Sequence, residues 1–315
     1  MSDGAPEPKP PRHLGPRYWP VWFGLGCLWL IAQLPLTAQL WLGQRLGSLA
    51  YLVAGKRRDV VLTNLTVCFP DWDAEKRQRV CKMHFQDLGA SLFEMASAWW
   101  REDALFERNV TFRGDEAVRD ALAAGHRLII VTGHFTTLEI SGRFLRQIVP
   151  SLHAIYRPHR NALLDERVRR GRLRSAQRLI EKADIRQMLR SLKQGVSVWY
   201  APDQSYRRKY AELIDFFGIP AMTNTATGRL AALSGAKVVP FYCWRDGAGP
   251  NYVVEFLPPL DVAGDDLPAT TRQFVATLED AICKAPSQYF WIHRKFKGRP
   301  EGYPDLYATP LAGRE

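Results

Sequence analysis

Signatures of known chemistry are scarce in this chain of 315 residues. Its cysteines are few (Cys27, Cys68, Cys81, Cys243 and Cys283), with no C-x-x-C among them and no histidine cluster beside them. An odd, scattered set argues against a disulfide framework and against a zinc site, so no metal is expected. The thiols read as small buried apolar groups in a reducing compartment. There is no G-x-S-x-G, and no cysteine stands at a strand end beside a histidine, so no protein nucleophile is evident. G-x-G-x-x-G and G-x-x-x-x-G-K-[ST] are missing too, which argues against dinucleotide and nucleotide-phosphate chemistry; no cofactor is expected. No internal repeat is visible, and charge is absent altogether from Tyr18 to Gln44.

What is present is a globular composition with a basic surplus. The hydrophobic fraction is 46%, with 10 Trp, 11 Tyr and 15 Phe, enough for a sizeable core and too much for a disordered chain. Lys and Arg total 43 against 32 Asp and Glu, a formal net charge of +11. That surplus suits an anionic partner: a nucleic acid, an anionic membrane surface or an acidic substrate. Residues 1–17 are rich in proline and charge and read as a disordered tail. The uncharged 27 residues of 18–44 are dense in Trp, Leu, Ile, Val and Phe, longer than the roughly 20 a membrane helix needs. Trp19, Trp22, Trp29 and Trp41 include residues near both ends, as in an aromatic belt. Gln33, Pro35, Thr37 and Gln39 weaken the middle, which leaves a buried or interfacial helix as the other reading. No small-x-small cleavage site precedes Arg45, so a cleaved signal peptide is not expected. The expected division is a tail over 1–17, a membrane helix over 18–44 and a folded domain over 45–315.

Residues 45–108 read as helical. Asp73 suits an N-cap after Pro70, and Val80, Met83, Leu88, Leu92, Met95 and Trp99 recur at helical spacing. From Val110 the pattern alternates. Strands are expected over 110–113, 128–132, 153–156, 196–201, 237–244 and 252–256. Helices are expected over 115–124, 138–148, 161–183, 185–193, 225–234 and 267–285. The alternation predicts an α/β fold built on a βαβ sheet flanked by helices. Residues 216–225 read as an apolar loop running into a helix.

The chain is organised around Leu128-Ile129-Ile130-Val131-Thr132-Gly133-His134, with Glu139 five positions after the histidine. A short β-branched apolar run is a buried strand, and Gly133 breaks it. His134 then stands at the strand's C-terminal end, where open α/β sheets hold their ligands. Five helical residues turn through about 500°, leaving two side chains about 140° apart. His134 and Glu139 therefore meet only if His134 sits in the turn before the helix and Glu139 reaches back from its first turns. A histidine held by a carboxylate is a general base. Without a protein nucleophile, the attacking hydroxyl belongs to the substrate.

Other residues reach the same rim. Arg157, in Tyr156-Arg157-Pro158-His159-Arg160-Asn161, follows the next strand and suits a phosphate or carboxylate. A solvated basic loop is an equal reading for His159 and Arg160. Arg167, Arg169, Arg170, Arg172, Arg174 and Arg178 crowd one segment. Lacking interleaved aromatics, they suit anionic headgroups or an acidic carrier better than nucleic acid. Asp203 and Gln204 close a further strand, and Thr223 is a candidate helix cap or substrate contact.

As an ordered set, these residues resemble the bacterial lipid A biosynthesis late acyltransferases. The set is Arg57-Arg58 to Asn64-Leu65 to Cys68-Phe69-Pro70, Gly133-His134 with Glu139, Tyr156-Arg157-Pro158, Ala201-Pro202-Asp203-Gln204, Phe216-Phe217-Gly218-Ile219-Pro220-Ala221, and the run from Trp291 to Pro300. It spans nearly the whole chain after the tail and is specific as a set, though no member is specific alone. The H-x-x-x-x-D/E dyad is shared with glycerolipid acyltransferases, and its Glu form here is similar to the lauroyl-type branch. The resemblance implies a central mixed, mostly parallel sheet in an acyltransferase domain over 45–315, at the cytoplasmic face of a Gram-negative inner membrane. It implies acyl carrier protein as acyl donor and, as acceptor, the 3-hydroxyl of a hydroxyacyl chain on a Kdo-bearing lipid A precursor. An anionic membrane is the expected surface, and no nucleic acid partner is expected. His134 and Glu139 are the expected catalytic pair, with substrate contacts at Arg157, Asn161, Asp203, Gln204 and Thr223. Glu139 would orient His134, His134 would deprotonate the hydroxyl, and Arg157 or backbone N–H groups near Gly133 would stabilise the oxyanion. Acyl transfer to a lysophospholipid or an ornithine lipid would use the same dyad. A non-catalytic basic membrane-surface protein is the alternative from another class.

Overall fold

A computed structural model describes residues 13–247, 249–262 and 266–308, so residues 1–12 of the expected tail lie outside the described residues. The first layer is helical: α1 (Trp19–Ala32), α2 (Leu36–Val53), α3 (Gly55–Cys68) and α4 (Ala74–Trp100). The uncharged segment is therefore two helices rather than one. Pro35 stands at the break, where its ring keeps the residue before it out of the helical region and it has no N–H to continue α1. The carbonyls freed there find donors. Gln39 Nε2 donates to Ala32 and Leu34 at 3.3 and 2.8 Å, and Arg101 Nη1 to Ala32 and Gln33, each at 3.1 Å. With 14 residues, α1 is about 21 Å long, short of a hydrocarbon core of about 30 Å. No helix among the described residues is long and apolar enough to cross a membrane, which corrects the expectation of a membrane helix over 18–44.

α2 lies against α4 backbone to backbone. A Cβ on Gly47 would stand 2.0 Å from the Phe85 carbonyl oxygen, and one on Gly89 2.0 Å from that of Gly43. Only residues without side chains permit this approach. Asp73 caps α4 as expected, its Oδ1 accepting from the Lys76 N–H at 2.6 Å. Away from α4, the first two helices keep Trp19, Phe23, Leu30, Trp41, Leu49 and Leu52 exposed.

After α5 (Ala104–Glu107) come β1 (Val110–Arg113), α6 (Asp115–Ala123), β2 (Leu128–Val131), α7 (Leu138–Ile148), β3 (Leu152–Tyr156) and α8 (Ala162–Arg172). The chain continues through β4 (Arg178–Glu181), α9 (Ile185–Lys193), β5 (Ser197–Tyr200), β6 (Ala211–Phe216) and β7 (Ile219–Asn224). It ends with α10 (Ala226–Ser234), β8 (Lys237–Asp246), β9 (Asn251–Phe256) and α11 (Leu267–Lys284). Seven strands form one sheet in the order β1-β9-β8-β2-β5-β3-β4. Every neighbouring pair is parallel except β8 with β9. This is the expected mixed, mostly parallel sheet with helices around it. β2 lies inside it with all its residues buried.

Two expectations fail locally. The basic helix expected over 161–183 stops at Arg172, and β4 follows as an edge strand on β3. Among the residues of β4 only Ile180 is buried, so an edge strand between arginines carries almost no apolar periodicity. Residues 216–225 are not a loop: β6 and β7 form an antiparallel hairpin. Its two-residue turn is Phe217-Gly218, with φ of 51° and 72°. Positive φ at both turn residues is what a hairpin turn matching the strand twist requires.

Candidate active site

Because β2, β5, β3 and β4 run parallel, their C-terminal ends open on one edge of the sheet. The turn that leaves β2 is held by a bridge of Phe135 to Tyr289. Thr136 N–H donates to the Gln288 carbonyl at 2.7 Å, and Phe290 N–H donates to that of His134 at 2.9 Å. Gly133 stands where a Cβ would meet Leu278 at 2.4 Å, so a larger residue there would push the turn outward. His134 thus sits before the helix, as its spacing required.

The carboxylate on His134 comes from the segment that leaves β5. Asp203 Oδ1 lies 2.5 Å from His134 Nδ1, and Oδ2 accepts from the His134 backbone N–H at 2.9 Å. Tyr289 donates its hydroxyl to Oδ2 at 3.0 Å, and Lys295 Nζ donates to the Asp203 carbonyl at 2.6 Å. Asp203 is 1% exposed. Burial pushes its pKa up. The His134 charge and hydrogen bonds outweigh that, with Lys295 adding to them, and hold it below the usual carboxylate range. Burial draws Lys295 down to about 8, against the pull of Asp203. An ionised Asp203 accepts a hydrogen bond from Nδ1–H, which leaves His134 Nε2 as the acceptor for a substrate proton.

Glu139 is placed elsewhere. Its Oε1 accepts from Arg172 Nη2 at 2.5 Å and Nε at 3.0 Å, and its Oε2 from Trp99 Nε1 at 3.4 Å. The expected pairing of Glu139 with His134 is therefore corrected. Glu139 lies on the first turn of α7 and turns towards α8 and α4, while the segment that leaves β5, the neighbour of β2 in the sheet, delivers Asp203 to the imidazole. The structure singles out Arg172 from the arginine run as the member that meets Glu139. A glycine shapes this pair as well. A Cβ on Gly171 would lie 2.3 Å from the Trp99 ring, so Gly171 lets the indole reach Glu139.

The remaining expected contacts divide. Gln204 lines a narrow recess with His134, Asp203, Asn64, Phe290, His293 and Lys295. Arg157 is exposed just past β3. Asn161 is instead the cap of α8, its Oδ1 accepting from the Leu164 N–H at 3.1 Å. Thr223 is buried within β7 and donates to the Ala221 carbonyl at 3.0 Å. It is no helix cap: Asn224 Oδ1 accepts from Ala226 N–H at the start of α10.

Sequence reasoning missed the support around the dyad. Asn64 Nδ2 donates to the carbonyls of Trp291 and His293 at 2.7 and 2.9 Å, and Tyr307 donates to Asn64 Oδ1 at 2.6 Å. The first and last motifs of the chain are thus one unit behind Asp203. His293 accepts from the Ser205 N–H through Nε2, and burial lowers its pKa to about 4, which keeps it neutral at physiological pH. Behind the turn, Arg245 donates to Glu94 at 2.5 Å, to Asp87 at 2.8 Å and to Thr136 Oγ1 at 3.1 Å. Asn64, Trp291 and His293 stood in the ordered motif set, whereas Tyr307, Arg245, Glu94 and Asp87 carried no signal in the sequence. Among the described residues no group of three or more His, Cys, Asp and Glu could hold a metal ion.

The chain is similar over most of its length to proteins of one family. A family model described as bacterial lipid A biosynthesis acyltransferase matches residues 7–298. The lipid A biosynthesis lauroyltransferase of Escherichia coli K12 is 38% identical over 296 residues, covering 93% of this chain and 96% of that protein. The palmitoleoyltransferase of the same organism is 35% identical, with 93% and 96% covered. Its myristoyltransferase is 27% identical, with 96% and 94% covered.

Proposed function

The chain belongs to the bacterial lipid A biosynthesis acyltransferase family and is an acyltransferase of that pathway; from that premise we propose which groups it joins and how. The enzyme moves a fatty acyl chain from an acyl carrier protein thioester to the 3-hydroxyl of a hydroxyacyl chain on a Kdo-bearing lipid A precursor. The observation that carries this reading is His134 at the end of β2 with a buried Asp203 on Nδ1.

His134 Nε2 takes the proton of the acceptor hydroxyl as its oxygen attacks the thioester carbonyl. Asp203 holds the imidazole in the tautomer that frees Nε2 and stabilises the imidazolium formed. The imidazolium then returns the proton to the departing thiolate, which leaves an ester on the acceptor and a free thiol on the donor. Backbone N–H groups near Gly133 stabilise the oxyanion. Glu139 acts one step away, through Arg172. The acidic donor suits a chain of net charge +11. The exposed apolar side chains of α1 and α2 suit docking at the anionic cytoplasmic face of the inner membrane, from which a lipid acceptor would arrive.

Lipid A mass spectrometry of a deletion strain tests this. Wild-type protein should restore one acyl chain and His134→Ala should not. Restoration by His134→Ala would refute the mechanism, and unchanged lipid A in the deletion strain would refute the acceptor.

A further inference from the structure

We propose that Arg157, Lys182 and Arg208 form a binding site for a phosphate monoester at the outer end of the rim, and that its ligand is the phosphate of a phosphorylated sugar-lipid acceptor. The identity of the acceptor rests on the function proposed above; the phosphate chemistry rests on the site itself.

Three loops supply the cations. The register pairs Tyr156 with Glu181, so Arg157 and Lys182 are the first residues past two adjacent parallel strands. Lys182 N–H donates to the Tyr156 carbonyl at 2.9 Å, which fixes the two chain ends side by side. Arg208 comes from the segment between β5 and β6, tied down where Tyr206 N–H donates to the Met222 carbonyl at 3.0 Å. Lys182 Nζ lies 5.7 Å above the Tyr206 ring, which brings that segment over β4. The charges are close enough to oppose one another. Partial burial and then Arg157 draw the Lys182 pKa down, Arg208 adds to this, and Asp203 alone pulls the other way.

None of the three cations makes an ion pair among the described residues, whereas Arg170, Arg172, Arg174 and Arg245 do. The carboxylate that Lys182 feels, Asp203, is committed to His134 and Tyr289. Three cations without ion pairs, on the segments that leave the C-terminal ends of β3, β4 and β5, make a dianion site.

Position specifies the ligand further. From β2 the sheet runs through β5 to β3 and β4. At about 4.8 Å per strand, Arg157 and Lys182 lie about 10 and 14 Å along the rim from His134. The acceptor should therefore carry its phosphate several bonds from the reacting hydroxyl. A sugar ring bearing the phosphate, with the first carbons of an ester-linked hydroxyacyl chain, provides that separation.

The test compares full-length wild type with Lys182→Gln/Arg208→Gln on two acceptors: the phosphorylated precursor and the same lipid after phosphatase treatment. The double variant should raise the apparent KM for the phosphorylated acceptor about 10- to 100-fold, with kcat within about threefold. It should match wild type on the dephosphorylated acceptor and leave the donor KM unchanged, and Lys182→Arg should restore part of the loss. An equal loss on both acceptors, or a rise in donor KM instead, would overturn the site. Tryptophan-fluorescence titration of both lipids in detergent, on His134→Ala protein, reads binding without turnover. Tighter binding of the phosphorylated lipid, lost when Lys182→Gln/Arg208→Gln is added to His134→Ala, supports the site even if wild type transfers to neither acceptor, an outcome that would refute the proposed reaction alone. Equal binding of the two lipids would overturn it.

Discussion

Asp203 and Glu139 each hold a nitrogen at 2.5 Å near one rim, yet they are built differently. Asp203 is walled in, with hydrogen bonds to both carboxylate oxygens and to its own carbonyl. The Glu139–Arg172 pair leaves side chains 19% and 28% exposed, with Trp99 as its further partner. A buried, fully satisfied carboxylate can fix a tautomer without moving. A half-exposed ion pair can adjust when a substrate arrives. Spacing along the chain pointed to Glu139 as the partner of His134, while spatial neighbourhood gave that place to Asp203.

The comparison breaks most sharply at the histidine both carboxylates were candidates to serve. His134→Ala should lower kcat about 10²–10⁴-fold in an acyl-carrier transfer assay, with little change in acceptor binding. Next in size is the contrast between the carboxylates. Asp203→Asn should cost a large part of that factor, whereas Glu139→Gln should cost less and act partly on acceptor KM. Equal losses confined to kcat would erase the distinction. Behind the dyad, Arg245→Met should destabilise the fold by about 3–5 kcal/mol in denaturant unfolding, because Glu94 and Asp87 lose their counter-charge.

A smaller effect follows from acid. The folded pKa of Asp203 lies below the ordinary aspartate value of about 3.9, so its stabilisation is complete above that value. It is lost as pH falls through the folded pKa. Thermal unfolding below about pH 4 should therefore show a steeper loss of stability in wild type than in Asp203→Asn. The smallest change expected is at Tyr289, where Phe removes one of several hydrogen bonds to Asp203 and should slow transfer only a few-fold.

Much of the frame was legible because parallel strands and their helices carry strong periodicity. β1 and α7 begin and end where the pattern placed them. β4 was hidden because an edge strand buries little, and the β6–β7 hairpin because Phe217 takes a positive φ that no turn signature announces. The 18–44 segment misled because composition counts apolar residues, whereas Pro35 and the Gln39 and Arg101 donors decide where a helix ends. In the site, His134 was legible from the strand and glycine before it. Its partner was not, because strand order, β5 beside β2, is a long-range property. Lys295 and Asn64 were opaque for the same reason.

The most direct test is ¹⁵N NMR of histidine-labelled protein, with the His134 signals assigned by their loss in His134→Ala. In wild type, His134 should be the Nδ1–H tautomer with a strongly downfield Nδ1 proton. That signal should vanish in Asp203→Asn and persist in Glu139→Gln. Persistence in Asp203→Asn, with loss in Glu139→Gln, would show that Glu139 is the carboxylate serving His134.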